Sequence, residues 1–185
     1  MNTNHARDLR KVLKENKFLT LPGVYDCLSA RIAEEAGFPA LFLSGGALAY
    51  SALGRPDLRI PGTGGVWKCN SAYCVILPGT ASGRCGQWFW KCNPGRQHRS
   101  HVRTIGAAGL QIDDKVLPSM HPAKNEIVGW EMVGPKIEAV RDNVSEDFVI
   151  VYRTCANLYG YGIDESIRRI NLAKERGADY AYGWD

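Results

Sequence analysis

The feature that most constrains the fold of this chain is an alternation of short aliphatic or β-branched runs with amphipathic segments, repeated on both sides of a central gap. A short apolar run closed by Gly or Pro reads as a strand, and an i, i+3, i+4 apolar pattern closed by Gly reads as a helix. On these signals His5 to Glu15 is an amphipathic helix, and FLTLPGVYD is a strand turned by Pro22 and Gly23. Cys27 to Ala36 follows as a helix with Leu28, Ile32 and Ala33 on one face and Gly37 as its stop, then PALFLSGG as a buried strand. Beyond the gap, GAAGLQIDD is a strand ending on two carboxylates, Trp130 to Arg141 a helix, and DFVIVYRT a strand. Asp164 to Arg176 is a helix capped by Asp164, and GADYAYGWD starts another strand. Such succession predicts right-handed βαβ units and a parallel sheet covered by helices. Polar residues fall at strand carboxyl ends (Ser44, Asp113, Asp114 and Arg153), the end where α/β barrels build their sites.

Length and composition fit one domain with a real core: 185 residues, 45% of them hydrophobic. The first residues, MNTNHARDLRKVLKENK, are polar, and no apolar run is long enough to span a bilayer, so a cytoplasmic protein with no membrane partner is expected. The six cysteines have no spacing that fixes pairs, and free thiols are the expectation.

The gap has sharp edges. From Gly64 to His101 there is no Asp or Glu, while Lys68, Arg84, Lys91, Arg96 and Arg99 give +5, against a net charge of +4 for the whole chain. Four of the six cysteines (Cys69, Cys74, Cys85, Cys92) and three of the five tryptophans (Trp67, Trp88, Trp90) crowd into it. A zinc site built from those cysteines with His98 and His101 has suitable ligand types but lacks paired C-x2–4-C spacing. A nucleic-acid platform of Trp88, Phe89 and Trp90 beside Lys91, Arg96 and Arg99 is the other reading of the stretch as written. The overall expectation is no nucleic-acid partner.

Three stretches together carry a family resemblance: PGVYDCLSARIAEEAGFPALFLSGGALAYSALGRPDL, then GAAGLQIDD, then the strand ending in Arg153-Thr154 with GIDESIRRINLAKERGAD. The chain resembles the isocitrate lyase and phosphoenolpyruvate mutase superfamily, in the short branch of methylisocitrate lyase, dimethylmalate lyase, oxaloacetate decarboxylase and the phosphonopyruvate-forming mutases. The resemblance covers about residues 6–62 and 103–183. It implies a Mg²⁺-dependent (β/α)8 TIM barrel, of which residues 1–185 supply about six of eight βα units as one incomplete domain. It also implies a chain shortened at its C-terminus and a homo-oligomeric full-length parent.

In that family the segment after GRPDL carries a strand ending Asp-Ala-Asp and a Gly-aromatic-Gly-Asn loop. Here it reads RCGQWFWKCN. The codons for Trp88-Phe89-Trp90-Lys91-Cys92, shifted by one base, force Gly at both tryptophans and permit Phe between them and Asn after. Arg84 to Gln87, shifted likewise, permits Asp-Ala-Asp-Ser. Residues of about 61–101 therefore read as translated in the wrong frame between two compensating changes, which accounts for the missing acids and the surplus of Cys and Trp together.

The resemblance also assigns roles. Ser44, Gly45 and Gly46 match a loop that receives the substrate carboxylate, Arg153 an arginine that clamps it, and Tyr25 the end of the first strand, lining the pocket or adjoining a helix cap. Asp57 and Asp113 match carboxylates near the metal, and Asp113 is favoured over Asp114 because neighbours on a strand face opposite ways. The family's catalytic-cysteine loop reads PSMHPAKNE here, leaving His121 and Lys124 as candidate acid–base groups. The implied activity is cleavage of a C–C bond next to a 2-oxo acid in a small 2-oxo or 2-hydroxy dicarboxylate. Turnover is expected to be impaired by loss of the Asp-Ala-Asp carboxylates. P–C bond chemistry of the same superfamily, a non-enzymatic binding module built on residues 64–101, and an inert fragment are the alternatives.

Overall fold

The structure, a computed structural model, describes residues 5–54, 73–78, 107–116 and 126–184. In chain order its elements are α1 (His5–Glu15), β1 (Gly23–Val24), α2 (Cys27–Glu35), β2 (Ala40–Leu43), α3 (Gly45–Leu53) and β3 (Tyr73–Pro78), followed by β4 (Gly109–Asp113), α4 (Trp130–Arg141), β5 (Val149–Thr154), α5 (Ile163–Glu175) and β6 (Tyr180–Gly183). The strands form one sheet in sequential order, β1-β2-β3-β4-β5-β6.

The sheet is not all parallel. β1–β2, β4–β5 and β5–β6 pair parallel, but β3 runs antiparallel to both β2 and β4. This corrects the expectation of a uniformly parallel sheet. An apolar run such as YCVILP encodes the wish to pair but not a direction, and an antiparallel ladder satisfies its backbone at least as well as a parallel one. Pro78 ends the strand, where its missing N–H costs little.

Period-two alternation divides the side chains between two layers. On one face Leu110, Ile112, Ile150 and Tyr152 pack with Ala30 and Ala33 of α2, Val133 and Ile137 of α4 and Ala173 of α5. Trp130 stands edge-on to Tyr152, with centroids 5.9 Å apart. On the other face α1 lays Leu9 and Leu13 against Ala40, Phe42, Val149 and Val151. A clasp holds α1 at the amino ends of β5 and β6. Arg10 Nη2 and Arg141 Nη2 each donate to a different oxygen of Asp179 at 2.7 Å, while Arg10 Nε donates to the Asp147 carbonyl at 2.8 Å.

Two helix expectations are corrected. In α2 the buried residues are Ala30 and Ala33, whereas Leu28 is 67% and Ile32 58% exposed. At about 100° per residue, Ala30 and Ala33 share the side opposite Leu28 and Ile32, and small side chains let the helix sit close on the sheet. In α5 the cap is Gly162, at φ 87° with no side-chain cap, so Asp164 lies inside the first turn. There it and Glu165 favour the positive end of the helix dipole. Among the described residues no helix is long and apolar enough to cross a membrane.

Candidate functional site

The residues singled out at the strand carboxyl ends fall into two roles. Ser44 is the N-cap of α3, its Oγ accepting from Ala47 N–H at 3.2 Å, and Gly45 and Gly46 are the first helical residues, not a free loop. First-turn N–H groups lack intrahelical partners, so this position keeps the donors that an anion would need. Asp26 caps α2: its Oδ1 accepts from Ser29 N–H at 2.7 Å, and that backbone donor holds its carboxyl below the usual range. Tyr25, beside that cap, is partly exposed, and its N–H donates to Ser29 Oγ at 3.1 Å.

Asp113 and Arg153 come together. They are register partners across β4 and β5, and Arg153 Nη2 donates to Asp113 Oδ2 at 2.6 Å. Both side chains are largely sealed, with relative exposures of 16% for arginine and 3% for aspartate. Burial alone would lower the arginine's affinity for its proton, but the Asp113 carboxylate outweighs it and holds the guanidinium charged. Arg153 Nε is buried and has no hydrogen-bond partner, the one such side-chain atom among the described residues.

Around this pair lie groups that the sequence reading did not single out. The Trp184 ring lies under two cations, 4.3 Å from Lys115 Nζ and 4.7 Å from Arg153 Cζ, geometry in which ring quadrupole and cation attract. Tyr182, the register partner of Arg153 on β6, donates to Gln111 Oε1 at 2.8 Å. Gln111 lies two residues before Asp113 and so on the same face. That alternation was legible in GLQIDD; the Trp184 contact was not, because it needs the register of β6.

Asp114 turns to the opposite side. Wholly buried, it accepts from Tyr152 Oη (2.8 Å), Thr154 Oγ1 (2.7 Å), Cys155 N–H (2.9 Å) and Arg169 Nη1 (3.2 Å). Arg169 also reaches Glu165 Oε1 at 2.7 Å and the Val128 carbonyl at 2.9 Å. Burial first, then the Asp114 charge, pushes the Tyr152 hydroxyl far above its ordinary range. Burial likewise pushes the Cys155 thiol to about 11, so it is a packed thiol and not a nucleophile at neutral pH.

Asp57, His121 and Lys124 lie outside the described residues, as do all residues of the 79–106 stretch and most of the gap. Among the described residues no group of three His, Cys, Asp or Glu side chains could hold a metal ion. What the described arrangement can do is receive an anion, with Arg153 Nε as an available donor beside a fixed carboxylate.

No family model matches the chain. It is 31% identical over 192 residues to "Petal death protein" of Dianthus caryophyllus, an alignment covering 98% of the chain and 58% of that protein. To 2,3-dimethylmalate lyase of Eubacterium barkeri it is 33% identical over 184 residues, covering 97% and 63%. The chain thus spans less than two thirds of the length of these relatives. The solved structure of 2,3-dimethylmalate lyase, a PEP mutase/isocitrate lyase superfamily member, is similar with a TM-score of 0.70 at 26% identity, covering 97% of this chain and 63% of that one. Oxaloacetate acetylhydrolase in complex with the inhibitor 3,3-difluorooxalacetate gives 0.73 at 25% identity, with the same coverage of 97% and 63%.

Proposed function

The chain belongs to the isocitrate lyase/PEP mutase superfamily, and on that premise we propose that its site binds a small 2-oxo or 2-hydroxy dicarboxylate for carbon–carbon bond cleavage. The observation that carries this reading is the buried, unpartnered Nε of Arg153 at the carboxyl ends of the strands. A guanidinium with one free edge in a sealed site is matched by a carboxylate, which it takes through two parallel N–H donors. Asp113 holds the guanidinium plane from one side and Trp184 covers its face, so the free edge is presented in one orientation.

In a 2-oxo dicarboxylate the bond one carbon removed from the oxo group breaks, the distal carboxylate leaves as CO2, and the bonding pair becomes the enolate of the 2-oxo acid, which then takes a proton. In a 2-hydroxy dicarboxylate the hydroxyl gives up its proton and becomes the carbonyl of the oxo product, while the pair of the broken C2–C3 bond passes to the other fragment as a carboxylate-stabilised enolate that is then protonated. Fixed positive charge beside the developing oxyanion lowers that barrier, and Arg153 with Lys115 are the described cations at this face. The names of the relatives, 2,3-dimethylmalate lyase and oxaloacetate acetylhydrolase, support substrates of this size and charge.

Mg²⁺ is the cofactor that the resemblance implies, and it would supply Lewis-acid stabilisation of the enolate. The described residues do not fit it by themselves. Mg²⁺ takes hard oxygen ligands in octahedral geometry, whereas Asp113 is the carboxylate present and one of its oxygens is taken by Arg153. Asp57 would be a second donor by resemblance, and the Asp-Ala-Asp pair is not in this sequence. We therefore expect binding without efficient turnover. A cytoplasmic location and homo-oligomeric assembly accompany this reading.

Oxalate, a planar dianion shaped like pyruvate enolate, tests the reading by titration against tryptophan fluorescence. A saturable change that disappears in Arg153→Gln is expected, since Trp184 touches Arg153. No saturable change, or one indifferent to Arg153→Gln, ends the proposal. Pyruvate release from oxaloacetate with Mg²⁺ well above the uncatalysed rate would overturn the expectation of slow turnover alone.

A further inference from the structure

We propose that Asp114, Tyr152, Thr154 and Arg169 form a positioning lock that fixes the spacing of Asp113 and Arg153 from the far side of the sheet; this rests on the reading that Arg153 receives the substrate carboxylate. The inference comes from how the two sets interleave along the chain. Asp113 is followed by Asp114, and Arg153 sits between Tyr152 and Thr154. Because neighbours on a strand point to opposite faces, Asp113 and Arg153 are each bonded in sequence to members of the set on the far face.

The buried set is cross-linked through a single carboxylate. Tyr152 Oη at 2.8 Å and Thr154 Oγ1 at 2.7 Å both donate to Asp114 Oδ2, and Cys155 N–H donates to Oδ1 at 2.9 Å. Two alternating positions of β5, Tyr152 and Thr154 on the two flanks of Arg153, and the Cys155 N–H just beyond the strand are thereby tied to the residue following β4. Arg169 on α5 closes the set at 3.2 Å and ties it to the segment leading into α4 through the Val128 carbonyl at 2.9 Å. The Asp114 backbone adds a bond of its own, accepting from Val128 N–H at 2.6 Å.

A parallel ladder alone lets the strand ends fray, since the last backbone groups have one neighbour fewer. Here the ladder's last pair, Asp113 and Arg153, is the functional one. A buried carboxylate with four donors removes that freedom, and side chains held by their neighbours' packing and hydrogen bonds stay in productive geometry. The lock touches no substrate; it acts through the backbone of the two residues that do.

The test reads the Arg153 side chain directly. In ¹H–¹⁵N spectra the Arg153 Nε–H signal, assigned by its loss in Arg153→Lys, is expected to exchange slowly in the unaltered chain. Thr154→Val and Tyr152→Phe, which each remove one donor to Asp114, should speed that exchange at least about tenfold and weaken oxalate binding by a similar factor. Thr154→Ser should restore both. A purely structural role would lower the melting temperature and leave Arg153 exchange and oxalate affinity unchanged, which overturns the proposal. So does an Arg153 signal that exchanges in the unaltered chain as fast as an exposed arginine's. If exchange quickens in the variants but the unaltered chain binds no oxalate, the lock stands and the substrate-binding reading falls.

Discussion

The two faces of β4 and β5 carry the same kind of pair, an aspartate and an arginine, under opposite conditions. On the face that α2, α4 and α5 cover, Asp114 and Arg169 are packed among a tyrosine, a threonine and a backbone N–H, and the carboxylate accepts from four donors. On the other face Arg153 Nη2 donates to Asp113 Oδ2, and among the described residues the buried Arg153 Nε–H has no acceptor. Stability asks that buried charges be satisfied, and the first face obeys. The second departs from that rule beside the strand ends where a ligand would enter, and such departures concentrate at functional positions.

The sharpest way to break the comparison is to remove one acid from each face. Asp114→Ala leaves the buried Tyr152, Thr154 and Cys155 N–H donors without their shared acceptor and Arg169 with Glu165 as its remaining acid, and is expected to cost about 3–5 kcal/mol in urea unfolding. Asp113→Ala should cost less, about 1–3 kcal/mol, and abolish the oxalate response; equal costs would erase the distinction between the faces. The hydroxyls repeat the contrast on a smaller scale. Tyr152→Phe strands one acceptor lobe of a buried carboxylate and should cost about 1–3 kcal/mol, while Tyr182→Phe, half exposed and bonded to Gln111, should cost about 0.5–1.5 kcal/mol.

Acid sharpens the picture at the rim of the lock. Arg168 first, and then Arg169, hold the Glu165 carboxyl at about 2, below its ordinary 4.5. A lowered folded value means that the stabilisation is complete above pH 4.5 and fades as pH falls toward 2. Arg168→Leu should flatten that part of a stability-against-pH curve, measured by chemical denaturation. The smallest effect belongs to α2. Leu28→Ser, at a position the apolar spacing had grouped on one helix face with Ile32 and Ala33, should change stability by no more than about 0.5 kcal/mol.

That last case shows where the sequence was a poor guide. The apolar spacing of Leu28 and Ile32 was visible, but which side of a short helix is buried depends on how closely it can approach the sheet, and alanines won over larger side chains. The strand–helix order outside α3 and β3, and the opposite facing of Asp113 and Asp114, were legible because periodicity is a local, steric rule. The direction of β3 was not, since a six-residue apolar run pairs either way. Nor was the cover of Trp184 over Lys115 and Arg153, which requires three strands in register before the ring meets either cation. The proposed roles of Asp57, His121 and Lys124 rest on the resemblance alone.

The clasp of α1 has a consequence in time. Arg10 meets Asp179 across 169 positions of chain, so this bond cannot close until the amino end of β6 has been made. At about 5–20 residues per second on a ribosome, that is a wait of roughly 10–30 s, during which Leu9 and Leu13 have no β5 surface to cover. Contacts of such long range slow folding. Docking of α1 therefore waits on the amino ends of β5 and β6, and until it is complete Leu9 and Leu13 are surface that a chaperone would find.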